Sequence, residues 1–593
     1  NDINIYNFNC DGDLYYNTAF GIFKLNQNYE GTSYQTNPNF REEQNFLFEY
    51  DLPVYENFSL TTENKWYLFF NPNSTDKNKL QRIHSAFGLR YMKNRKFMLG
   101  VLAGREQNKQ TSIEKPGNVF KINGYIQNLN IDDYLINSKL RSEFVNLDDN
   151  RKNNVFDFSA SLAKRFNQTD FLNINGNYNF HDNDILNSIG FDTDRAVYNN
   201  FAVENIFDRN YNMIFNFGFE VFENFRTNMM FNYNDVVIRR NYNNSFQDIT
   251  NSLYERQRTI NNLNLKIDAV YDVDDFYQKF SAEFSENDET YDLSKKEAIS
   301  ESEFDNLLRR EKQKDLISSI TRIYSETMYD LSSRDRFGLR YLASIKRDNT
   351  PSDLNNDDKD YASWMVDLFY EHKFSSILKA GINFKIDNNH LVYIKSERSS
   401  SNYQNRIYTL EPKVEIITKS FSMRPVFQLN ANYMVYDYEE LNSGVRSFSF
   451  RQISYKDSIN LRINDKFSVF SRIILKYYER GKLLWDEFTE LPELGSLENF
   501  DKLLLFFNGR IGKSARYKIG SGFRYYTLQQ EGLLKSNKGN KFNRISYGPE
   551  TEINFLFSSG TLIRISGWYE YQFLDGDYLK SVPNLYLETK IDL

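Results

Sequence analysis

The chain has 593 residues, a formal net charge of -7 and a mean hydropathy of -0.65. So mild a charge over this length argues against a nucleic-acid surface, and a single cysteine, Cys10, excludes an internal disulfide framework and a Cys-rich metal centre. No apolar run approaches the roughly 18 residues of a transmembrane helix; 503–507 is a typical run and far too short.

From the N-terminus, 1–12 reads as a periplasmic segment or an extra strand, with no basic or apolar leader. An exported protein in this form has already lost its signal. Asp11, Gly12 and Asp13 read as a turn before a first strand at 13–25. Short turn signals come next, at 93–95, 167–170, 223–224, 274–275, 332–335, 375–376, 419–420, 465–466, 513–514 and 558–560. Long polar stretches lie near 26–43, 105–115, 181–210, 240–257, 291–313, 348–359, 481–500 and 529–543. From about residue 211 the two classes alternate. Within 181–210, the segment 196–207 resembles a strand but breaks the parity of every later strand, so it is expected in a loop as a hairpin arm.

Between the turns, apolar and polar residues alternate strictly. Tyr211, Met213, Phe215, Phe217, Phe219 and Val221 oppose Asn212, Asn216, Gly218 and Glu220. Phe421, Met423, Phe427, Leu429, Ala431, Tyr433 and Val435 oppose Ser422, Arg424, Gln428, Asn430 and Asn432. Successive side chains along a strand point to opposite faces, so each segment predicts a strand with one apolar and one wet face. Segments of a dozen residues outrun the usual 5–6 of soluble sheets and match tilted strands that cross a bilayer. The 42 tyrosines and 51 phenylalanines of a chain that is polar on average fit aromatic girdles around a polar interior.

The pattern predicts an all-β fold: a single antiparallel transmembrane β-barrel over 13–593, of about 26 strands (range 24–28), with no plug domain. Short turns would share the periplasmic end with both termini, and long loops would lie outside. The strand at 13–25 would close the barrel against 582–593, with Leu585 and Leu587 toward lipid and Tyr586, Glu588 and Lys590 inward. Arg or Lys at membrane depth on the lipid face costs roughly 2–4 kcal/mol. Arg340, Arg472, Lys476, Arg516, Lys518, Arg524, Arg564 and Glu570 are therefore expected to face the lumen.

Other candidates are weaker. Ser294 and Glu297 fit a capping box ahead of a helix in 291–313, and Phe304, Leu307 and Leu308 make its apolar stripe. Such a helix is a candidate lid or partner-docking element, or simply packs on neighbouring loops. Asp353, Asp357, Asp358 and Asp360 crowd one loop but lack an EF-hand register, so a solvated turn is the better reading. His84, His181, His372 and His390 show no metal-ligand spacing. No catalytic signature, cofactor motif or metal centre is legible, and the chain is not expected to be an enzyme.

As an architectural class, the whole chain resembles large bacterial outer-membrane β-barrels. In strand number it is similar to the lipopolysaccharide-export barrel, and in size and the lack of a plug to the sheaths of porin–cytochrome conduits. It departs from the first in having no jelly-roll length and no disulfides, and from the second in lacking a cysteine motif around Cys10. TonB-dependent transporters carry a plug of over a hundred residues before the strand pattern begins. The resemblance implies an outer-membrane pore or export channel, or alternatively a sheath around a partner such as a secretion component or multihaem cytochrome. Its surroundings would be lipid outside and, within the lumen, a partner protein or the chain's own loops.

Overall fold

An extended segment has no internal hydrogen bonds, so each strand must pass its N–H and C=O groups to neighbours. The computed structural model describes residues 5–590, apart from 19, 35–36, 72–77, 95, 111–112, 193–196, 244–253, 296–299, 442–445, 486, 512–514, 535–540 and 558–560. It forms one antiparallel sheet of 28 strand segments in which each strand pairs with the next along the chain, two of the segments being halves of one strand. The helix Glu301–Lys312 and two short 3-10 turns lie in connections. Most strands run 14–26 residues. The sheet agrees with the expected all-β antiparallel fold and falls at the upper end of the expected strand range.

Phe421–Met423 and Val426–Tyr436 both pair with Tyr403–Ile417 and with Phe448–Arg462. They are one strand interrupted at Arg424 and Pro425, where proline has no N–H to give the ladder. The 28 segments therefore make one fewer traverse, an odd number. As a result, Ile5 pairs with Tyr34 at the end carrying the long connections, and Lys590 pairs with Leu562 at the end carrying the short turns. The expectation that both ends of the chain share a side does not hold for these residues.

Several boundaries also move. Ile5–Thr18 and Gly21–Tyr34 form a hairpin in which Leu14 pairs with Leu25, so 13–25 is not a strand and the division at residue 12 falls inside one. No pairing joins Ile5–Thr18 to Asp577–Lys590; each is an edge among the described residues, and Leu593 lies outside them. The polar stretch 181–210 is the outer part of a long hairpin, Phe171–Asp192 with Val197–Phe222, which fits the hairpin-arm reading. Stretch 481–500 is mostly strand as well, because Phe467–Leu484 and Thr489–Ile511 continue to pair up to Leu484 and Thr489. Polar side chains do not stop a ladder while both hairpin arms go on pairing. The short turns use Asn94, Asp132, Asp133, Asn224 and Asp274 at positive φ, a conformation that Asn and Asp tolerate.

The sheet is rolled most tightly between Phe58 and Asp192. Here side chains on the polar face reach across several strands: Arg82 Nη2 donates to Asn153 Oδ1 at 3.1 Å, and the Gln110 side-chain amide exchanges two hydrogen bonds with the Leu186 backbone. Small residues on the inner face of the roll allow the approach. A Cβ at Gly88 would meet Val101 O at 1.9 Å, and one at Gly104 would meet Ser85 O at 2.0 Å. Gly88→Ala and Gly104→Ala should each destabilise the protein by about 1–3 kcal/mol, as overpacking does. The check is urea unfolding monitored by the mobility of the folded band on unheated gels. Wild-type midpoints in both variants would contradict the tight roll.

Candidate functional site

Cross-strand register decides which residues share a face. Arg340 pairs with Glu326 and Asp367, Lys476 with Glu498, Arg524 with Lys502 and Gly548, and Arg564 with Asn554 and Glu588. Arg472 pairs with Ser458 and Lys502, while Arg516 and Lys518 alternate with Tyr517 and Ile519 along Ala515–Gly532. All eight expected charges, Glu570 included, fall on the polar face. The opposite face carries exposed Ile345, Leu475, Tyr477, Leu503, Leu505 and Phe523. On the last strand Glu588 pairs with Arg564 and Leu587 with Ile565.

Most of these cations are already neutralised. Arg340 Nε lies 2.8 Å from Glu326 and its Nη1 3.4 Å from Asp367. Lys476 meets Glu498 at 2.9 Å, and Arg564 meets Glu552 at 3.5 Å. Glu550 is 3% exposed and takes both Lys502 at 2.6 Å and Arg524 at 2.9 Å. Arg524 also stacks over Trp568 at 4.3 Å, while Trp568 Nε1 donates to Glu570 at 3.1 Å. Lys518 sits over the Phe506 ring at 4.0 Å. Arg472 and Arg516 are exposed and form no ion pair among the described residues.

The densest charge constellation lies elsewhere, inside the roll, and the local pattern did not reveal it. Lys121 Nζ lies 2.5 Å from Glu63 Oε1, 3.0 Å from Glu143 Oε2 and 2.8 Å from His84 Nε2. These groups come from four strands, Phe58–Asn71, Asn78–Lys93, Ile113–Ile131 and Tyr134–Leu147. Beside them Arg90 pairs with Glu49 and with Asp51 at 2.5 Å, and Thr61 donates to Asp51 at 2.6 Å. Two cavities flank the cluster, one of about 490 Å³ including Glu63 and Lys121 and one of about 300 Å³ including His84 and Glu143. The signal in the sequence is indirect: Ala86, Gly88 and Gly104 are small residues on a polar face.

In the connections, the helix begins after Ser300, because Ser294 still belongs to the strand Phe276–Lys295. The Ser294 capping box is therefore not formed, and Ser300 makes no side-chain cap. Glu301 and Glu303 in its first turn and Arg309, Arg310 and Lys312 in its last complement the helix dipole. Phe304, Leu307 and Leu308 are half-buried, and Asn355 donates to Gln313 O at 2.8 Å, so the helix is tied to the next loop. In that loop Asp357 meets Arg398 at 3.1 Å and Asp358 meets Lys395 at 3.8 Å, while Asp360, already in the strand Lys359–Lys373, meets its cross-strand partner Arg347 at 3.9 Å.

No protein-family model matches the chain, and no curated protein matches it. Solved structures do align. The copper transporter OprC aligns at 8% identity and a TM-score of 0.38, covering 85% of this chain and 79% of that one. FpvA of P. aeruginosa, solved with heterologous pyoverdines, aligns at 8% and 0.42, covering 83% and 75%. The FrpB iron transporter of Neisseria meningitidis aligns at 8% and 0.41, covering 80% and 79%. At such scores the likeness is one of strand-rich architecture and extends to no ligand. The chain is an all-β antiparallel sheet, and no specific family is identified.

The ion pairs differ in burial, and their energies should differ accordingly. Glu550→Gln strands two cations and should cost about 1.5–3 kcal/mol, whereas Glu552→Gln, whose partner Arg564 is well exposed, should cost under about 1 kcal/mol. Equal midpoints in urea for the two variants would contradict this ranking. Burial pushes the Asp358 carboxyl up, but the Thr350 hydroxyl and N–H, with Lys395 near, outweigh it and hold it below the ordinary range. A depressed carboxyl stabilises the loop above its unfolded pKa of about 3.9 and loses that effect as pH falls through the folded value. Amide exchange at Thr350 should thus stay slow at about pH 4 and speed up only in stronger acid. Release already at neutral pH would refute the clamp.

Proposed function

We propose that the sheet closes into an outer-membrane β-barrel that acts as a large pore or transport channel. One observation carries this reading: large apolar side chains stand exposed along one face of the whole sheet, while the ionised residues of the traverses concentrate on the other. Water would not tolerate so extended an apolar face, and a bilayer requires one. Lipid is thus the outer partner, and the eight charges with their carboxylates line the lumen. On this reading the end with the short turns is periplasmic, and the end with the helix and the 350–358 connection is external.

Closure differs from the antiparallel seam expected at 13–25. With an odd number of traverses, Ile5–Thr18 and Asp577–Lys590 run in the same direction, so edge-to-edge pairing makes a parallel seam. Odd-stranded barrels are known, and an open edge cannot persist in lipid. The lumen is narrowed by its own wall where Phe58–Asp192 rolls inward, which favours a channel over an empty sheath. The internal pairing of Arg340, Lys476, Arg524 and Arg564 points the same way, because an acidic partner is not needed to neutralise them.

Purified alone and inserted into a planar bilayer, the chain should conduct with weak ion selectivity. Arg472→Glu with Arg516→Glu should shift selectivity toward cations, since these two have no counter-ion among the described residues to absorb the change. A very large unstable conductance that quietens only when a co-purifying protein is restored would replace the channel with the sheath. Leu475→Arg should cost about 2–4 kcal/mol in lipid, and a neutral effect would remove the membrane face from the reading.

A further inference from the structure

The roll turns two walls of the sheet toward each other. The cavity of about 490 Å³ lies between them, with Asn45, Glu49, Glu63 and Lys65 on one side and Lys121, Asn123, Lys139 and Arg141 on the other. The first group comes from Asn37–Tyr55 and Phe58–Asn71, the second from Ile113–Ile131 and Tyr134–Leu147. The lining thus sets four cations against two carboxylates. Both carboxylates are already engaged: Glu49 pairs with Arg90, and Glu63 with Lys121 at 2.5 Å. Asp11, Asp13 and Asp157 do not line the cavity, and they bond Asn28, Asn26 and His181 instead.

The surplus positive charge sits on three side chains. Lys65 is half-buried and Lys139 exposed, and neither forms an ion pair among the described residues. The carboxylate that acts most on Lys65 is Glu143, but its Oε2 already meets Lys121 at 3.0 Å and Arg141 at 3.6 Å. Arg141 and Lys121 act on Lys65 as like charges. Arg141 gives one nitrogen, Nη2, to Glu143, which leaves Nε and Nη1 of its fork for another acceptor. A half-buried ammonium among like charges costs free energy until an anion joins it.

We propose that Lys65, Lys139 and Arg141 bind one oxyanion in this cavity, the phosphate or carboxylate group of a small solute. A guanidinium edge matches two oxygens of such a group, and the two ammonium groups add point charges. The side-chain amides of Asn45 and Asn123 offer further N–H donors. A volume of about 490 Å³ lies in the range of small-molecule sites and leaves room for bridging water. Lys121 is not a ligand, because Glu63, Glu143 and His84 already occupy its ammonium. The site belongs to the polar face of the roll and stands whether or not the lumen conducts.

The full-length chain in detergent is titrated with inorganic phosphate at low salt, by calorimetry and by equilibrium dialysis of radiolabelled phosphate. One phosphate per chain is expected, with acetate in competition and a lower affinity when the titration is repeated at high salt. Lys65→Met and Lys139→Gln should each weaken binding roughly tenfold, the loss of one charge-assisted hydrogen bond. Lys65→Met should also leave the thermal midpoint of the phosphate-free protein unchanged or raised, since it removes an ammonium without a counter-ion. Arg141→Lys keeps the charge but loses the fork, so it should bind more weakly than wild type and more tightly than Arg141→Gln. Lys456→Gln neutralises a lysine on Phe448–Arg462, outside the roll, and should leave the affinity unchanged. No saturable binding of phosphate, affinity unchanged in both Lys65→Met and Lys139→Gln, or an equal loss in Lys456→Gln would overturn the site.

Discussion

The structure depends on one constraint: an antiparallel backbone ladder whose register does not slip in the middle of a strand. Side chains alternate with a period of two, so a one-residue shift would carry every Arg, Lys and Glu of a strand to the apolar face. Register shifts do occur, at Pro53/Tyr55, Ile126/Leu129, Glu220/Phe222, Arg480/Gly481 and Gln572/Phe573, and each lies within a few residues of a connection. Even Pro425 interrupts the ladder without altering the register on either side. Strand identity, face assignment and the pairing of charges all inherit from this continuity.

Two regimes share the ladder. From about Val197 onward the charges of the polar face pair with neighbours one or two strands away, as Arg340 does with Glu326 and Asp367 and Lys502 does with Glu550. Between Phe58 and Asp192 the sheet rolls until groups three and four strands apart touch, as Lys121 and Glu63 do. Burial there raises the cost of any unpaired charge, so the cluster of Glu63, His84, Lys121 and Glu143 must be nearly self-consistent. Gly88 and Gly104 make that closeness sterically possible, and the polar network then fixes one geometry.

Local periodicity is enough to read the strands and their faces. Arg340, Lys476 and Arg564 are assignable because a face depends only on the residue's neighbours two positions away. Strand ends are less legible. At 26–43, 181–210 and 481–500 polar residues signal loops, yet the hairpin arms keep pairing with no regular apolar alternation to mark them. The helix is legible as a Gly- and Pro-free segment, but not its start, since Ser294 and Ser300 offer equal caps and the strand from Phe276 claims the first. Taking the hairpin Ile5–Thr18 with Gly21–Tyr34 as one strand from residue 13 changes the parity and hence the placement of the first described residues. The cluster around His84 is invisible in the sequence because contact between strands three apart depends on curvature, and curvature is written only as small residues scattered on a polar face.

The most direct test of the two-faced wall is solvent access, residue by residue, along one traverse. With Cys10 replaced by Ser, single cysteines at Arg472, Ile473, Ser471, Leu475 and Lys476 are introduced in turn, and the protein is reconstituted in vesicles and labelled with a water-soluble maleimide. The account predicts fast labelling at 472 and 476 and protection at 471, 473 and 475, with the reverse order for a lipid-partitioning probe. Uniform labelling along the strand, or protection at 472 and 476 with exposure at 473 and 475, would contradict it.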